Sequence, residues 1–418
     1  MLAGKPSEAD ELLSQTCLKA KQLGYKPLEA ECQLLHGDVL ADVGKHQQAA
    51  EVLFGAALAS REGQTKEVEV QAYLALVRVV GRLQWHTERA HVYLEYATAL
   101  ASQLGSSARL QGQLEGSRAE LLYYSQGRPA DAQEPARNAH QLLLNALGPQ
   151  HPRLLWSASL LGWILMDLGQ LPESTKLLAH VHHVRTQLFG PDHPEVGKSL
   201  FNLASVQLAN GDLSKATVSV ERAIELWTKT LGPNHPLTLR AMALRAECAL
   251  ESSRGLEGRD RLLRVIPPME QAYGSSNPRV ALARVLLGQA WLQLGEPLKA
   301  EEQFEHALHS MESQNGALHP WLSEPLIGLA ETSLMKGDVD TALAYAERSA
   351  SVYGDSGNRF QIARTRFVQA RILQELGTPQ QQTDQLAKLA LEDLEASRPQ
   401  GFHIAQLRHW MASRSKKL

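Results

Sequence analysis

Small and large apolar residues recur along this chain at fixed distances, and their spacing predicts helices packed in pairs. Small residues stand at Gly37, Gly162, Ala204, Ala246, Gly288, Ala330 and Ala370, each seven positions before a helix-breaking residue. Five positions after such a break come Ala49, Ala132, Ala216, Ala300 and Ala342, and seven further on Ala56, Ala97, Ala139, Ala223 and Ala307. Small side chains at these places let two helices approach closely. Leu53, Leu178, Val220, Leu262 and Phe304 fall between them and are expected to fill the core. Strand-favouring runs of β-branched and aromatic residues are scarce, so almost no sheet is expected.

The breaks themselves repeat. Leu147-Gly-Pro-Gln-His-Pro152, Phe189-Gly-Pro-Asp-His-Pro194 and Leu231-Gly-Pro-Asn-His-Pro236 share one phrase, with looser copies at Tyr273-Gly-Ser-Ser-Asn-Pro278 and Asn315-Gly-Ala-Leu-His-Pro320. Their glycines are Gly148, Gly190, Gly232, Gly274 and Gly316, a step of 42, with Gly63 and Gly105 upstream and Gly354 downstream. A period of this size marks a solenoid or an array. The glycine stops one helix in the left-handed conformation, and the proline opens the next, where its missing N–H costs nothing. His151, His193, His235 and His319 lie in separate loops, so they are read as part of this punctuation and not as a metal or acid–base site. A second set of breaks lies midway, at Gly127, Gly169, Gly211, Gly295 and Gly337, with Ser253 in the missing slot and Gly44 and Gly377 near the ends. Each repeat is therefore helix, short turn, helix, longer loop.

Local departures carry their own expectations. Arg78 and Glu120 take the small-residue place in the second and third repeats, which predicts splayed or register-shifted pairs. Pro267-Pro268 falls inside a second helix and should break or kink it, and Pro135 sits early in another. Phe402 to Met411 is an amphipathic stretch suited to capping the last exposed apolar face.

With these residues in view, the chain resembles the tetratricopeptide repeat (TPR) family. The 42-residue step with Gly-Pro-x-His-Pro is similar to the kinesin light chain class, and Gly190-Pro-Asp-His-Pro-Glu-Val-Gly-Lys-Ser-Leu-Phe-Asn-Leu-Ala204 is its best copy. The resemblance implies an all-α fold, a right-handed TPR superhelix (α-solenoid) of about nine helix pairs plus a C-terminal capping helix. The organisation expected is a capping helix over 1–27, degenerate repeats over 28–119, core repeats over 120–350, a degenerate repeat over 351–400, and a capping helix with a basic tail over 401–418. Residues 77–127 also resemble the TPR tails attached to bacterial serine/threonine kinases.

In this family the first helix of each pair lines a concave groove. The resemblance places there Trp156, Ser159, Leu160, Trp163 and Asp167; Lys198, Phe201, Asn202, Ser205 and Ala209; Arg240, Ala243, Leu244, Glu247 and Glu251; and Leu282, Val285, Leu286, Gln289 and Gln293. An asparagine at the place of Asn202 often holds a peptide backbone, because an amide offers both a donor and an acceptor. Its counterparts here are Leu160, Leu244 and Leu286, which favours a groove gripping apolar side chains. The groove residues singled out are Trp163, Phe201, Asn202, Lys198, Arg240 and Gln289, with Trp163 and Phe201 as aromatic anchors.

Composition narrows the chemistry. The net charge is −3 over 418 residues, which offers no field for nucleic acid or an anionic membrane. No run of ~18 apolar residues spans a bilayer, and the N-terminus lacks the apolar core of a signal peptide. Cys17, Cys32 and Cys248 show no paired spacing and are read as reduced structural thiols of a cytoplasmic protein. Lys416-Lys417-Leu418 reads as a solvated tail. Phosphate-binding loops, kinase catalytic texts, GxSxG and HExxH are all missing. His180, His182 and His183 supply too few ligands on one helix face for a metal. No enzyme activity, cofactor or metal is expected. The partner is a protein or peptide; the alternative is a regulatory segment of a bacterial serine/threonine kinase system without its catalytic domain.

Overall fold

A computed structural model describes residues 6–105, 107–353 and 358–415. Among these residues the regular structure is helical throughout. A first helix, α1 (Pro6–Gln22), precedes nine pairs: α2 (Lys26–Asp42) with α3 (His46–Glu62), α4 (Lys66–Leu76) with α5 (Thr87–Gln103), and α6 (Ala108–Glu120) with α7 (Pro129–Leu147). Next come α8 (Pro152–Asp167) with α9 (Leu171–Phe189), α10 (Pro194–Ala209) with α11 (Leu213–Thr230), and α12 (Pro236–Glu251) with α13 (Gly255–Tyr273). The series ends with α14 (Pro278–Gln293) and α15 (Pro297–Asn315), α16 (Ser323–Lys336) and α17 (Val339–Tyr353), and α18 (Arg359–Glu375) and α19 (Gln380–Ser397). A last helix, α20 (Phe402–Ser415), follows. Gly354 and the tail at Lys416-Lys417-Leu418 lie outside the described residues.

The chain divides into two compact units, residues 1–161 with 183–196 and residues 162–182 with 197–418. In the first, Leu53, Ala49 and Ala56 of α3 are fully buried against α2 and α4. In the second, Phe304 of α15 packs on α14 and α16, and Ile404 and Leu407 of α20 close the apolar faces of α18 and α19.

The recurring phrase works as a stop and a start. Gly148, Gly190, Gly232, Gly274 and Gly316 all have positive φ, and Ser253, in the slot without glycine, adopts φ 58°. The histidines cap the helices that follow: Nδ1 of His151, His193, His235 and His319 accepts the backbone N–H two residues on, at 3.1–3.2 Å. Asn277, standing where the other copies have histidine, accepts from Arg279 N at 2.9 Å. Asn277→Ala should cost about 1 kcal/mol, while Asn277→His should keep most of it. Denaturant melts of the two variants check this; an alanine variant as stable as the parent would remove the capping role.

The register shift expected at two places has a local cause, and other expectations are corrected. Arg78 and Glu120 mark places where the helix widens: α4 continues as a π-helical stretch, Val77–Leu83, and α6 as Leu121–Ser125. The wider turn shifts the register and lets the charges pair between repeats, Arg78 with Asp38 at 2.6 Å and Arg82 with Glu120 at 2.8 Å. Pro267-Pro268 and Pro135 do not end their helices. Pro267 is exposed, as are Leu263 and Arg264, whose carbonyls lose their intrahelical donors, so those carbonyls sit on the water-facing side, where the loss is cheap. Gly63 has φ −83°, and Gln64 takes the left-handed place. Cys17 and Cys32 form a disulfide between α1 and α2, so they are not the free thiols expected. The 15-residue separation hides a pairing that the helical hairpin creates. Cys248 is free and buried, its thiol pushed up to about 12 by desolvation.

Candidate functional site

The first helices of the second unit carry the candidate groove residues. Trp163 at the end of α8 donates from Nε1 to Oδ1 of Asn202 on α10, at 3.0 Å. Its ring stacks on Phe201 with centroids 6.0 Å apart. Phe201 in turn lies 6.2 Å from Trp227 of α11, and the Arg240 guanidinium of α12 sits 4.9 Å over its ring. Trp163, Phe201, Asn202 and Arg240 therefore form one continuous contact across three first helices.

Burial changes the role of several of them. Phe201 is only 8% exposed, held between Trp163, Trp227 and Arg240, so it is a core ring beneath the surface and not an open anchor. Leu160 and Leu244 are likewise buried, which removes the apolar grip expected of them; their neighbours in the helix bundle cover them. Trp163, Asn202, Lys198, Arg240 and Gln289 are half-buried and stay at the surface. The Asn202 carbonyl is already engaged by Trp163, which leaves less of its amide for a ligand. Trp156 belongs to the first unit, where its ring covers Gly116: a Cβ there would lie 2.5 Å from Trp156 Cη2. His182 contacts Ser199 at 3.0 Å, and among the described residues no group of three or more His, Cys, Asp or Glu is placed to hold a metal ion.

Gln289 lines a cavity of about 80 Å³ with Glu247, Glu251 and Glu331, and Phe402 and His403 at the start of α20 line it too. The segment joining α19 to α20 is the part of this surface that sequence reading missed. Arg398 binds Glu247 at 2.7 Å and Glu251 at 2.6 Å, and the Phe402 N–H donates to Glu251 at 3.0 Å. These partners are 147–151 residues apart in the chain, and no local pattern announces them. The Phe360 ring lies 4.2 Å beneath the Arg398 guanidinium. Burial would disfavour its charge, but the two glutamates outweigh that and raise its pKa. His403 is held neutral, its pKa driven well down by burial and then by Arg364 and Arg398. Glu324 on α16 is pushed up to about 7, chiefly by desolvation.

Comparison with known proteins agrees with this architecture. Residues 154–195 and 198–237 match one tetratricopeptide repeat model, and residues 279–355 match a second. The chain carries tetratricopeptide repeats. One similar solved structure is that of kinesin light chain nearly identical TPR-like repeats from Podosopora anserina. It is 23% identical, with 50% of this chain and 96% of that one covered and a TM-score of 0.39. BtubC (BKLC) from P. vanneervenii is 18% identical over 54% of this chain and 89% of its own, with a TM-score of 0.41. A Rap protein complexed with Competence and Sporulation Factor matches over 84% of this chain and 98% of its own, at 13% identity and a TM-score of 0.55. That likeness extends the helical-repeat fold beyond the segments the tetratricopeptide models match. No curated protein matches the chain. No helix among the described residues is long and apolar enough to cross a membrane.

Proposed function

We propose that the chain is a protein-interaction scaffold that holds a peptide or helix of a partner against the first helices of its tetratricopeptide repeats. The observation that carries this reading is the surface built across α8, α10 and α12. Asn202 is hydrogen-bonded to Trp163, and Arg240 lies over Phe201 in one aromatic stack. Lys198 is at the surface of the same helix as Phe201, so a ligand would meet ordered side chains at little entropic cost. A Rap protein of similar fold is solved with Competence and Sporulation Factor, which supports a bound factor as the occupant of such a fold. The matched segments, 154–237 and 279–355, do not reach residues 77–127, on which the kinase resemblance rests.

The test is affinity capture with the intact chain and with a Lys198→Ala/Asn202→Ala/Arg240→Ala variant. Phe201 is left alone because its removal would disturb the core. A partner held by the parent should be lost from the variant by about tenfold or more, with circular dichroism unchanged. Equal capture by both would discard this surface.

A further inference from the structure

The segment 396–403 lies across the ends of successive first helices as a bound peptide would. Ala396 O sits against the turn at Gly169 after α8, where a Cβ would come within 3.1 Å, and Gln400 covers Gly211 after α10. Arg398 and the Phe402 N–H engage Glu247 and Glu251 at the end of α12. Phe402 and His403 then reach the cavity lined by Gln289 of α14 and Glu331 of α16. Arg398 has left the helix, with φ −148° and ψ 78°, and residues 398–401 run between α19 and α20.

Glu247 and Glu251 are one helical turn apart, so both carboxylates project from the same face and clasp one guanidinium. A buried ion pair is weak evidence for a purely stabilising role, because apolar residues of similar volume usually hold a fold as well. What two carboxylates supply is selectivity for a planar cation. The surroundings favour a cation too. Glu247 and Asp167 lie near enough to Glu324 to disfavour its ionisation, and Glu331 faces the same cavity. Against them stand Arg364, Arg371 and Arg398, while His403 stays neutral.

We propose that Glu247 and Glu251 form an arginine-recognition site and that residues 396–403 are its resident, displaceable occupant. The incoming ligand is an extended segment of a separate partner that carries an arginine. This rests on the scaffold reading and adds the chemistry of the ligand and the contact it must displace.

The test uses the full-length chain and a fluorescent synthetic peptide with the sequence of residues 394–406. Arg398→Gln weakens the internal occupant, so the peptide should bind this variant about tenfold more tightly than the parent. Replacing the peptide's arginine by alanine, or adding Glu247→Gln and Glu251→Gln to the variant, should abolish that gain. Equal binding to parent and variant, or binding indifferent to the glutamates, would overturn the proposal. Should Arg398→Gln fail to fold, hydrogen exchange on the parent decides: saturating peptide should speed exchange at the Phe402 amide, and an unchanged rate overturns the site. A dimer held by exchanged C-terminal segments would overturn the assignment to a separate partner. A chain that captures partners through Lys198, Asn202 and Arg240 yet ignores the peptide would keep the scaffold and lose this site.

Discussion

Phe304→Ala should cost roughly 3–5 kcal/mol, the range for removing a fully buried phenylalanine. The reason lies in two glycines. Phe304 is 0% exposed, and its ring fills space that Gly288 on α14 and Gly328 on α16 leave open. A Cβ on either would stand 2.6 Å and 2.4 Å, respectively, from Phe304 Cε1. Ring and glycines are one packing unit, and alanine at 304 would leave a void that two helix backbones cannot close. Gly288→Ala or Gly328→Ala should also destabilise, by about 1–3 kcal/mol of overpacking, partly offset by about 1 kcal/mol of helix propensity. Repeat arrays can unfold in steps, so the measurement is hydrogen exchange of α14, α15 and α16 read segment by segment. A loss below about 1 kcal/mol at Phe304→Ala would show that the neighbouring repeats collapse into the space.

That unit also shows what was legible in the sequence. Gly288 and Phe304 stand at repeat positions, so their contact follows from the period alone, as does the capping by His151, His193, His235 and His319. Such features depend on residues within one repeat or its neighbour. The π-helical stretches after Leu76 and Glu120 were only partly legible: a charge at the small-residue place signals trouble, but whether the helix splays or widens depends on Asp38 and Glu120 in adjacent repeats. Phe201 misled because first-helix position and exposure are different properties. Whether its ring is covered depends on Trp227 and Arg240, which reach it from two other helices. The Cys17–Cys32 bond and the Arg398 contacts lie further outside local reading. Arg398-Pro399-Gln400-Gly401 looks like an ordinary linker until the fold brings it to Glu247 and Glu251.

Glu324→Gln should stabilise the second unit at alkaline pH and leave it unchanged in acid. The Glu324 carboxyl is raised from 4.5 to about 7, first by desolvation, with Glu247 and Asp167 acting in the same direction and Arg364 and Arg398 opposing them. Gln361 donates to it from α18, a contact that a glutamine at 324 can also accept. A carboxyl with a raised folded-state pKa binds its proton more tightly when folded, so its contribution is complete below about pH 4.5 and is lost as the pH rises through about 7. The shift alone corresponds to roughly 3 kcal/mol; the side chain is partly open to water, and screening brings the expected gain to about 2 kcal/mol. Denaturant titrations of parent and variant should therefore coincide below about pH 4 and diverge between about pH 4.5 and pH 7, the variant being the more stable. Parallel curves across that range would mean that Glu324 is ionised throughout and compensated by Arg364. A variant less stable at pH 8 would reverse the sign and make the carboxylate a working partner of the cations around it.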